Sequence, residues 1–535
     1  MQSNEKTFRE PIRFFEDSGN VVPRLSYYVE LENVTNTKKQ DMKTMIDNGR
    51  YFSMFAARQS GKTTFMEGIR HKLHHDKTYI VILLNFQKYE DLNKSDFYAW
   101  VEKKLYSQLI DRLQDVECEK AGVVRQFLKD HHLSNHISFA ELFEELNRIL
   151  LFKKIVIFID EFDGIPRKEL KNFLATLRDL YQEYRDAKQK SLYSVGLIGI
   201  RNITKLVVGG VSPFNIADHV NLPPFSLKNV RDLYAQYTEE TNQPFTEEAV
   251  KKVHEETGGQ PWLVNRLGTI LTLNVKPGTI EPIDENDVEQ AIRLLLNEKN
   301  NHFDNLYEKA KLYRETFVEI VFDGVKYKPD DEDQSWLEQY GLIKNSDEHA
   351  VVSNNIYKRR YLDTFFSEVK TDETIPPGQY ELPGNRLDMN SILLDFDRYI
   401  SLIGVQAFYQ NKKPYEKTGQ FLLTAWLYQF VRGGGGELRY EVKSGLGVMD
   451  IFLYYKGIKY IIETKVNHKK NIESTITGGV DQLTKKYLST ESCTEGFLVV
   501  FDTRTPVGED CEQSVYPAGD KSVTCFSIAI GPASS

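Results

Sequence analysis

The sequence predicts an α/β protein of several domains: a parallel-sheet domain with a helical lid, a winged-helix-like region, and a C-terminal α/β domain. Three observations carry this reading. Strand-like and helix-like stretches alternate from Met42 to about Asp218, the pattern of layers around a mainly parallel sheet. The stretch AARQSGKT (56–63) lies between a strand candidate and a helix candidate. The run ELRYEVKSGLGVMDIFLYYKGIKYIIETKV (437–466) reads as three strands, the last two joined by a tight turn.

Each element follows in order. Residues 1–40 form an N-terminal segment with Tyr27, Tyr28 and Val29 as a short apolar patch. Residues 41–223 form the core, with strands Tyr51–Phe55, Tyr79–Phe86, Lys154–Asp160 and Ser194–Ile200 and helices Phe97–Leu113 and Lys168–Tyr184. Residues 224–300 read as a helical lid, with capping starts at Ser226 and Thr246. In 301–370, helices precede WLEQYGLIKNSDEHAVV; a turn at Asn345–Ser346 would complete a winged helix. The segment TDETIPPGQYELPGN (371–385) has the composition of a linker. Residues 386–535 form the last domain, where Gly433–Gly436 is expected to be a loop between a helix and a strand.

Composition narrows the class. A chain of 535 residues has room for about three domains. With 41% hydrophobic and 27% charged residues, wholesale disorder is excluded. The opening MQSNEKTFRE has no apolar stretch, so no secretory signal is expected. No apolar run approaches the ~18 residues of a membrane span. Cys118, Cys493, Cys511 and Cys525 are scattered, which speaks against a zinc site or disulfide framework and suits a reducing cytoplasm. The net charge of −9 excludes a protein that coats nucleic acid generally. From Arg386 onward 17 basic residues balance 17 acidic ones, so the C-terminal part is the better place for a polyanion to dock.

The 56–63 stretch fits the phosphate-loop pattern GxxxxGK[ST], with Ala56 in place of the first glycine. Backbone N–H groups of Ala57, Arg58, Gln59, Ser60, Gly61 and Thr64 would cradle phosphate oxygens. Lys62 would reach the β/γ-phosphates, and the Thr63 hydroxyl would ligate Mg²⁺. The strand KKIVIFIDEFD (153–163) ends in Asp160 and Glu161, which places both carboxylates at the ligand edge of an open sheet. Asp160 would hold the magnesium, and Glu161 would orient and deprotonate the attacking water. Arg201 and Asn202 end the next strand, where a polar side chain can sense the γ-phosphate. Arg266, in GGQPWLVNRLG (258–268), could reach the nucleotide from the lid. Arg58, Arg178 and Arg201 are equally eligible arginine fingers.

The C-terminal strands bring a second constellation. Lys456-Gly457 as a two-residue turn pairs residue 455 with 458, so Asp450 faces Glu463, with Cβ atoms about 5 Å apart. Opposed carboxylates call for a divalent cation, Mg²⁺ or Mn²⁺. Lys465 shares the face of Glu463 and would orient water or offset phosphate charge. The Thr464 carbonyl could complete the coordination. Glu416, on an apolar helix upstream, is a further carboxylate candidate. Gln482 and Tyr487 lie on a helix downstream. His468, Lys469, Lys470, Lys485 and Lys486 suit a phosphate backbone.

Taken in order, YFSMFAARQSGKTTF, IVIFIDEFDGIP, VSPFNIADHVNLPPFS, TGGQPWLVNRLG, EQYGLI, GLGVMDIFLYYKGIKYIIETK and Gln482 to Tyr487 give the chain its likeness. It resembles prokaryotic proteins that join an AAA-ATPase-like region to a C-terminal PD-(D/E)XK nuclease-superfamily domain. The resemblance implies an AAA/STAND-like P-loop NTPase followed by a restriction-endonuclease-like domain. Lys62, Thr63, Asp160 and Glu161 take the nucleotide and magnesium roles. Asp450, Glu463 and Lys465 take the nuclease roles, with Gln482 auxiliary. Val448 stands where many such nucleases carry arginine. The expected function is an ATP-binding, ATP-hydrolysing protein that controls Mg²⁺-dependent cleavage of phosphodiester bonds, in DNA first of all. By analogy alone it would serve defence or a mobile element. The alternative is a nucleotide-switched binding or signalling protein with a silent nuclease fold. Expected partners are ATP and nucleic acid, with no membrane; a homo-oligomer is allowed, though no motif specifies one.

Overall fold

A computed structural model of the chain describes residues 7–187, 191–199, 216–323, 325–368, 379–403, 409–410, 413–414, 416–431, 436–444, 447–469, 471–507 and 511–531. The chain divides into two compact units, Met1–Arg359 and Arg360–Ser535.

The first unit opens with α1 (Met42–Asp47), β1 (Phe52–Phe55), α2 (Lys62–His74), β2 (Tyr79–Asn85), α3 (Lys94–Asp115), α4 (Ala121–Asp130), α5 (His136–Ile149), β3 (Lys154–Asp160), α6 (Arg167–Ala187), β4 (Ser194–Gly199) and β5 (Asp218–Val220). The strands form one parallel sheet in the order β2-β3-β4-β1-β5. Runs such as YIVILLN and KIVIFID are apolar on both faces because helices cover both faces. Ile80, Ile82 and Leu84 pack with Phe97, Phe139, Phe143 and Phe173 on one side. Tyr79, Val81 and Phe158 pack with Met45, Met66 and Ile69 on the other. The predicted strand and helix ends agree to within a few residues; Ile200 lies outside the described residues.

The lid follows as α7 (Leu227–Thr241), α8 (Glu247–Thr257), α9 (Pro261–Ile270) and α10 (Glu285–Leu296). Ser226 caps α7 by accepting from the Asn229 N–H, and Thr246 caps α8 by accepting from Ala249. Gly259, between α8 and α9, has φ +72°, and a Cβ there would lie 2.0 Å from the Phe225 carbonyl oxygen. Gly259→Ala is therefore expected to destabilise the first unit by at least about 2 kcal/mol, read as a lower urea midpoint.

Next come α11 (Asn301–Leu312), α12 (Arg314–Asp323), α13 (Glu332–Gln339), β6 (Ile343–Ser346), β7 (His349–Val352) and α14 (Asn355–Glu368), a helical group with one hairpin. The hairpin turns at Asp347–Glu348, both with positive φ, and not at Asn345–Ser346. Asn345 and Ser346 have turn-forming side chains, but the backbone needs two consecutive left-handed residues, and these come two residues later.

The division between units falls within α14, upstream of the expected 371–385 linker. Of that segment, 379–385 leads into and turns the small hairpin of β8 (Glu381–Leu382) and β9 (Arg386–Leu387). Its Pro and Gly content there reflects turn chemistry. The second unit continues with α15 (Met389–Ile403), β10 (Tyr409–Gln410), β11 (Lys413–Pro414), α16 (Glu416–Val431), β12 (Gly436–Ser444), β13 (Gly447–Tyr455), β14 (Ile458–Asn467), α17 (Glu473–Gln482), a short α18 (Leu488–Thr490), β15 (Glu495–Pro506), β16 (Glu512–Ala518) and β17 (Lys521–Gly531). Gly436 is the first residue of β12, and 432–435 lie outside the described residues. Its main sheet runs β12-β13-β14-β15-β17-β16. β12, β13 and β14 are antiparallel, while β14, β15 and β17 are parallel. Tyr455 pairs with Ile458 and Ile451 with Ile462, the register that the Lys456-Gly457 turn implies. Both turn residues have positive φ, 43° and 93°, as a hairpin of that length requires.

Candidate functional site

The phosphate loop is built by β1 and α2. Gln59 and Gly61 have φ of 57° and 86°, so the chain curls back on itself between strand and helix. Gly61 caps α2 without a side chain, which leaves the first-turn N–H groups free to meet an anion. The Ser60 hydroxyl donates to the Ala57 carbonyl at 2.8 Å and fixes the curl. Lys62 is only 5% exposed, and its ammonium donates to the carbonyls of Ala56 and Ala57 at 2.7 and 2.8 Å. Burial pulls the Lys62 pKa down, and Glu161 and Asp160 counter this.

Strand β3 delivers the carboxylates. Asp160 is 2% exposed, and its carboxylate accepts from the Thr63 hydroxyl at 2.9 Å. Glu161 sits in left-handed backbone, φ 50°, just past the strand end. Burial raises its pKa, Lys62 lowers it, and Asp160 and Asp163 raise it further. β4 lies between β1 and β3, and the site gathers at the ends of β1, β2 and β3.

A cleft of about 460 Å³ opens there, within the ~300–1,000 Å³ range of small-molecule sites. Arg58, Gln59, Gly61, Lys62, Thr63, Thr64, Asp160 and Glu161 all line it. Ala57 lies behind, where a Cβ on Gly341 would come within 2.6 Å of its own Cβ. The turn between α13 and β6 thus touches the phosphate loop. Asn202 and Arg201 lie outside the described residues.

Arg266 is placed differently from the sequence expectation. Its guanidinium pairs with Asp17 at 2.9 Å and Glu298 at 2.6 Å, and it is not among the lining residues. Two carboxylates satisfy the fork of donors, so it braces the N-terminal segment against the lid. Arg178, on α6, does not line the cleft either.

Sequence reasoning missed several contributors. Asn85 ends β2 directly opposite Asp160 and donates to it at 3.4 Å. A polar residue closing an apolar strand was the available signal. Residues 16–21, Trp262 and Asn265 form the far wall. The Trp262 indole donates to the Asp17 carbonyl at 2.6 Å, pinning that wall to α9. No local pattern in the sequence announces such a long-range contact.

In the second unit, Asp450 and Glu463 stand on β13 and β14, one step past the last ladder pair. Pairing stops there because the Asp450 carboxylate takes the Thr464 N–H at 2.8 Å and the Thr464 hydroxyl at 2.9 Å. Glu463 is fully buried. One oxygen accepts from Lys465 at 2.7 Å, and the other has no hydrogen-bond partner among the described residues. Its pKa is pushed up to about 7, by burial first and by Asp450 second, against the pull of Lys465. The Gln482 amide donates to the Tyr487 hydroxyl at 2.9 Å. The helix predicted there is α-helical only to Gln482, and 483–487 form a π turn. The wider turn brings residues five apart onto one face, so the two side chains meet. Gln420 of α16 donates to the Asp450 carbonyl at 3.1 Å. The side chains of Glu416 and Val448, and Lys470 altogether, lie outside the described residues. His468, Lys469, Lys485 and Lys486 are exposed, with Lys485 paired to Asp481. Among the described residues, no group of three or more His, Cys, Asp or Glu side chains could hold a metal.

The parallel sheet, curled loop and strand-end carboxylates of the first unit define a P-loop NTPase-like domain. The chain belongs to the AAA-like domain family, whose pattern matches residues 17–364, more than half of its length. Among solved structures it is similar to the Walker-type ATPase paby2304 of Pyrococcus abyssi, with 12% identity over 62% of this chain and 99% of that one, TM-score 0.41. It is also similar to the RuvB Holliday junction branch migration motor of Thermotoga maritima, with 13% identity over 59% and 90%, TM-score 0.32. The ORC1 protein of Aeropyrum pernix, solved in complex with DNA, matches with 12% identity over 63% and 96%, TM-score 0.29. No curated protein matches the chain. No helix among the described residues is long and apolar enough to cross a membrane.

Proposed function

We propose that the first unit binds and hydrolyses ATP and thereby controls a Mg²⁺-dependent nuclease in the second, with DNA as the substrate. The nuclease reading rests above all on Glu463: a fully buried carboxylate with one unpartnered oxygen, near Asp450 and beside Lys465. A buried anion in that state is costly unless a cation joins it.

In the first unit, the Thr63 hydroxyl and the Asp160 carboxylate offer the oxygen ligands that Mg²⁺ prefers. The free N–H groups at the start of α2 and the Lys62 ammonium hold phosphate oxygens. Glu161 takes the proton of the attacking water, and the rise in its pKa with burial makes it a stronger base than an exposed carboxylate. In the second unit, Asp450 and Glu463 would hold the cation, which when bound lowers the pKa of water and stabilises phosphoryl charge. Lys465 orients that water or the scissile phosphate. Gln482 and Tyr487 hold each other behind the site and position its floor. His468, Lys469 and Lys486 offer charge to the flanking phosphates. The contact between the α13–β6 turn and Ala57 gives the helical group a direct reading of the phosphate loop. A homo-oligomer and a cytoplasmic setting are part of this proposal.

A second reading, a nucleotide-switched binding protein with a silent C-terminal unit, draws on the two-carboxylate count. Cleavage of linear and supercoiled DNA in Mg²⁺, with and without ATP, decides between them. Wild type is expected to cut and Asp450→Ala is not. Unchanged cutting by the variant removes the site assignment. If neither DNA nor RNA is cut and no Mn²⁺ binds to the wild type, the silent reading stands.

A further inference from the structure

Asn265 is a buried side chain that the hydrolytic machinery does not use. It lies on α9, is 5% exposed and lines the nucleotide cleft. Its amide nitrogen donates to the Pro261 carbonyl at 2.9 Å, one turn back. That bond orients the amide, so the side-chain oxygen is the atom left over. This oxygen is buried and has no hydrogen-bond partner among the described residues. Nearly all buried polar atoms in folded proteins find a partner, so an exception at a cleft wall points to a ligand.

Position along the cleft says which part of the ligand. The first turn of α9 sits on the phosphate loop: the Gln260 amide donates to the Gln59 carbonyl at 3.2 Å, and Pro261 lies 4.0 Å from where a Cβ of Gly61 would be. Four residues of helix carry Asn265 about 6 Å further on, beyond the phosphates. A carbonyl oxygen would in any case repel phosphate oxygens. Val21, Pro261 and Trp262 supply apolar surface along the same wall, which suits a flat ring.

We propose that Asn265 selects the base: its Oδ1 accepts a hydrogen bond from the 6-amino group of adenine. A guanine or hypoxanthine ring would bring a carbonyl oxygen against this acceptor. A site built to receive an N–H discriminates well because the analogue leaves the buried acceptor unpaired. The inference rests on the reading of the cleft as a nucleotide site.

The test is calorimetric binding to the full chain in Mg²⁺ of ATP, 2′-deoxy-ATP, ITP and purine riboside triphosphate, which lacks only the 6-amino group. Wild type is expected to bind ATP and 2′-deoxy-ATP alike, and both roughly tenfold or more tighter than the other two. Asn265→Leu is expected to bind all four with nearly equal affinity. Equal binding of ATP and purine riboside triphosphate by the wild type overturns the assignment, and needs no variant to fold. So does a preference for ATP that survives in Asn265→Leu, or a preference for the 2′-hydroxyl that the variant loses. Failure of the wild type to bind any of the four overturns the nucleotide reading itself, a different result from binding without selection.

Discussion

Lys62→Ala is expected to lose ATP hydrolysis by about 10²–10³-fold, with the first unit still folded. The side chain is buried at the mouth of the curled loop, and among the described residues its hydrogen bonds go to the carbonyls of Ala56 and Ala57. Those bonds occupy the ammonium but do not need its charge. Burial already disfavours that charge, as its lowered pKa records. A cation kept in an unfavourable place serves something that arrives later, and triphosphate oxygens answer to that. Replacing it by alanine removes a desolvated charge as well as two hydrogen bonds, so the fold should lose little. Hydrolysis is measured by phosphate release, and folding by circular dichroism. Retained turnover in a folded Lys62→Ala chain would remove the phosphate-loop reading.

Glu463→Gln is expected to abolish cleavage and Mn²⁺ binding in the second unit while making the metal-free protein more stable at pH 8. The carboxyl pKa is raised from 4.5 to about 7 by burial and by Asp450. The folded state therefore holds a proton that the unfolded chain releases. The stability due to this group is complete below about pH 4.5 and is lost as pH rises through 7, at about 1.4 kcal/mol per pH unit. Glutamine keeps the shape and never ionises. In a chelator, wild type and variant should melt together at about pH 4, and the variant should melt higher at pH 8. Added Mn²⁺ should raise the wild-type midpoint and leave that of the variant unmoved. A variant that melts lower than wild type at pH 8 would show that Glu463 is a structural ion-pair partner of Lys465. The same carboxylate would then have no claim to a metal.

Much of this is legible in the amino-acid sequence. Apolar runs of six or seven residues alternating with amphipathic stretches specify a parallel sheet covered on both faces, and β2, β3 and β4 lie where those runs are. Lys62, Thr63, Asp160 and Glu161 could be named because a phosphate loop and a strand-end Asp-Glu are local patterns. The Asp450–Glu463 register followed from one two-residue turn, since a side-chain period of two leaves no freedom once 455 pairs with 458. Local chemistry of this kind is written into neighbouring residues.

Contacts between distant residues had to come from the tertiary structure. Strand order put β4 between β1 and β3. It also aligned Asn85 with Asp160 across 75 positions. By its place in the lid sequence Arg266 could reach the nucleotide, and packing gave it Asp17 and Glu298 instead. The wall made by residues 16–21, Trp262 and Asn265 exists because the N-terminal segment crosses to α9, 245 positions away at the Asp17–Trp262 bond. Such pairings depend on which apolar faces bury one another, a property of the whole fold. The charge of a residue type can be read from its letter; whether its partner is water, a carboxylate or nothing at all depends on what the fold brings beside it.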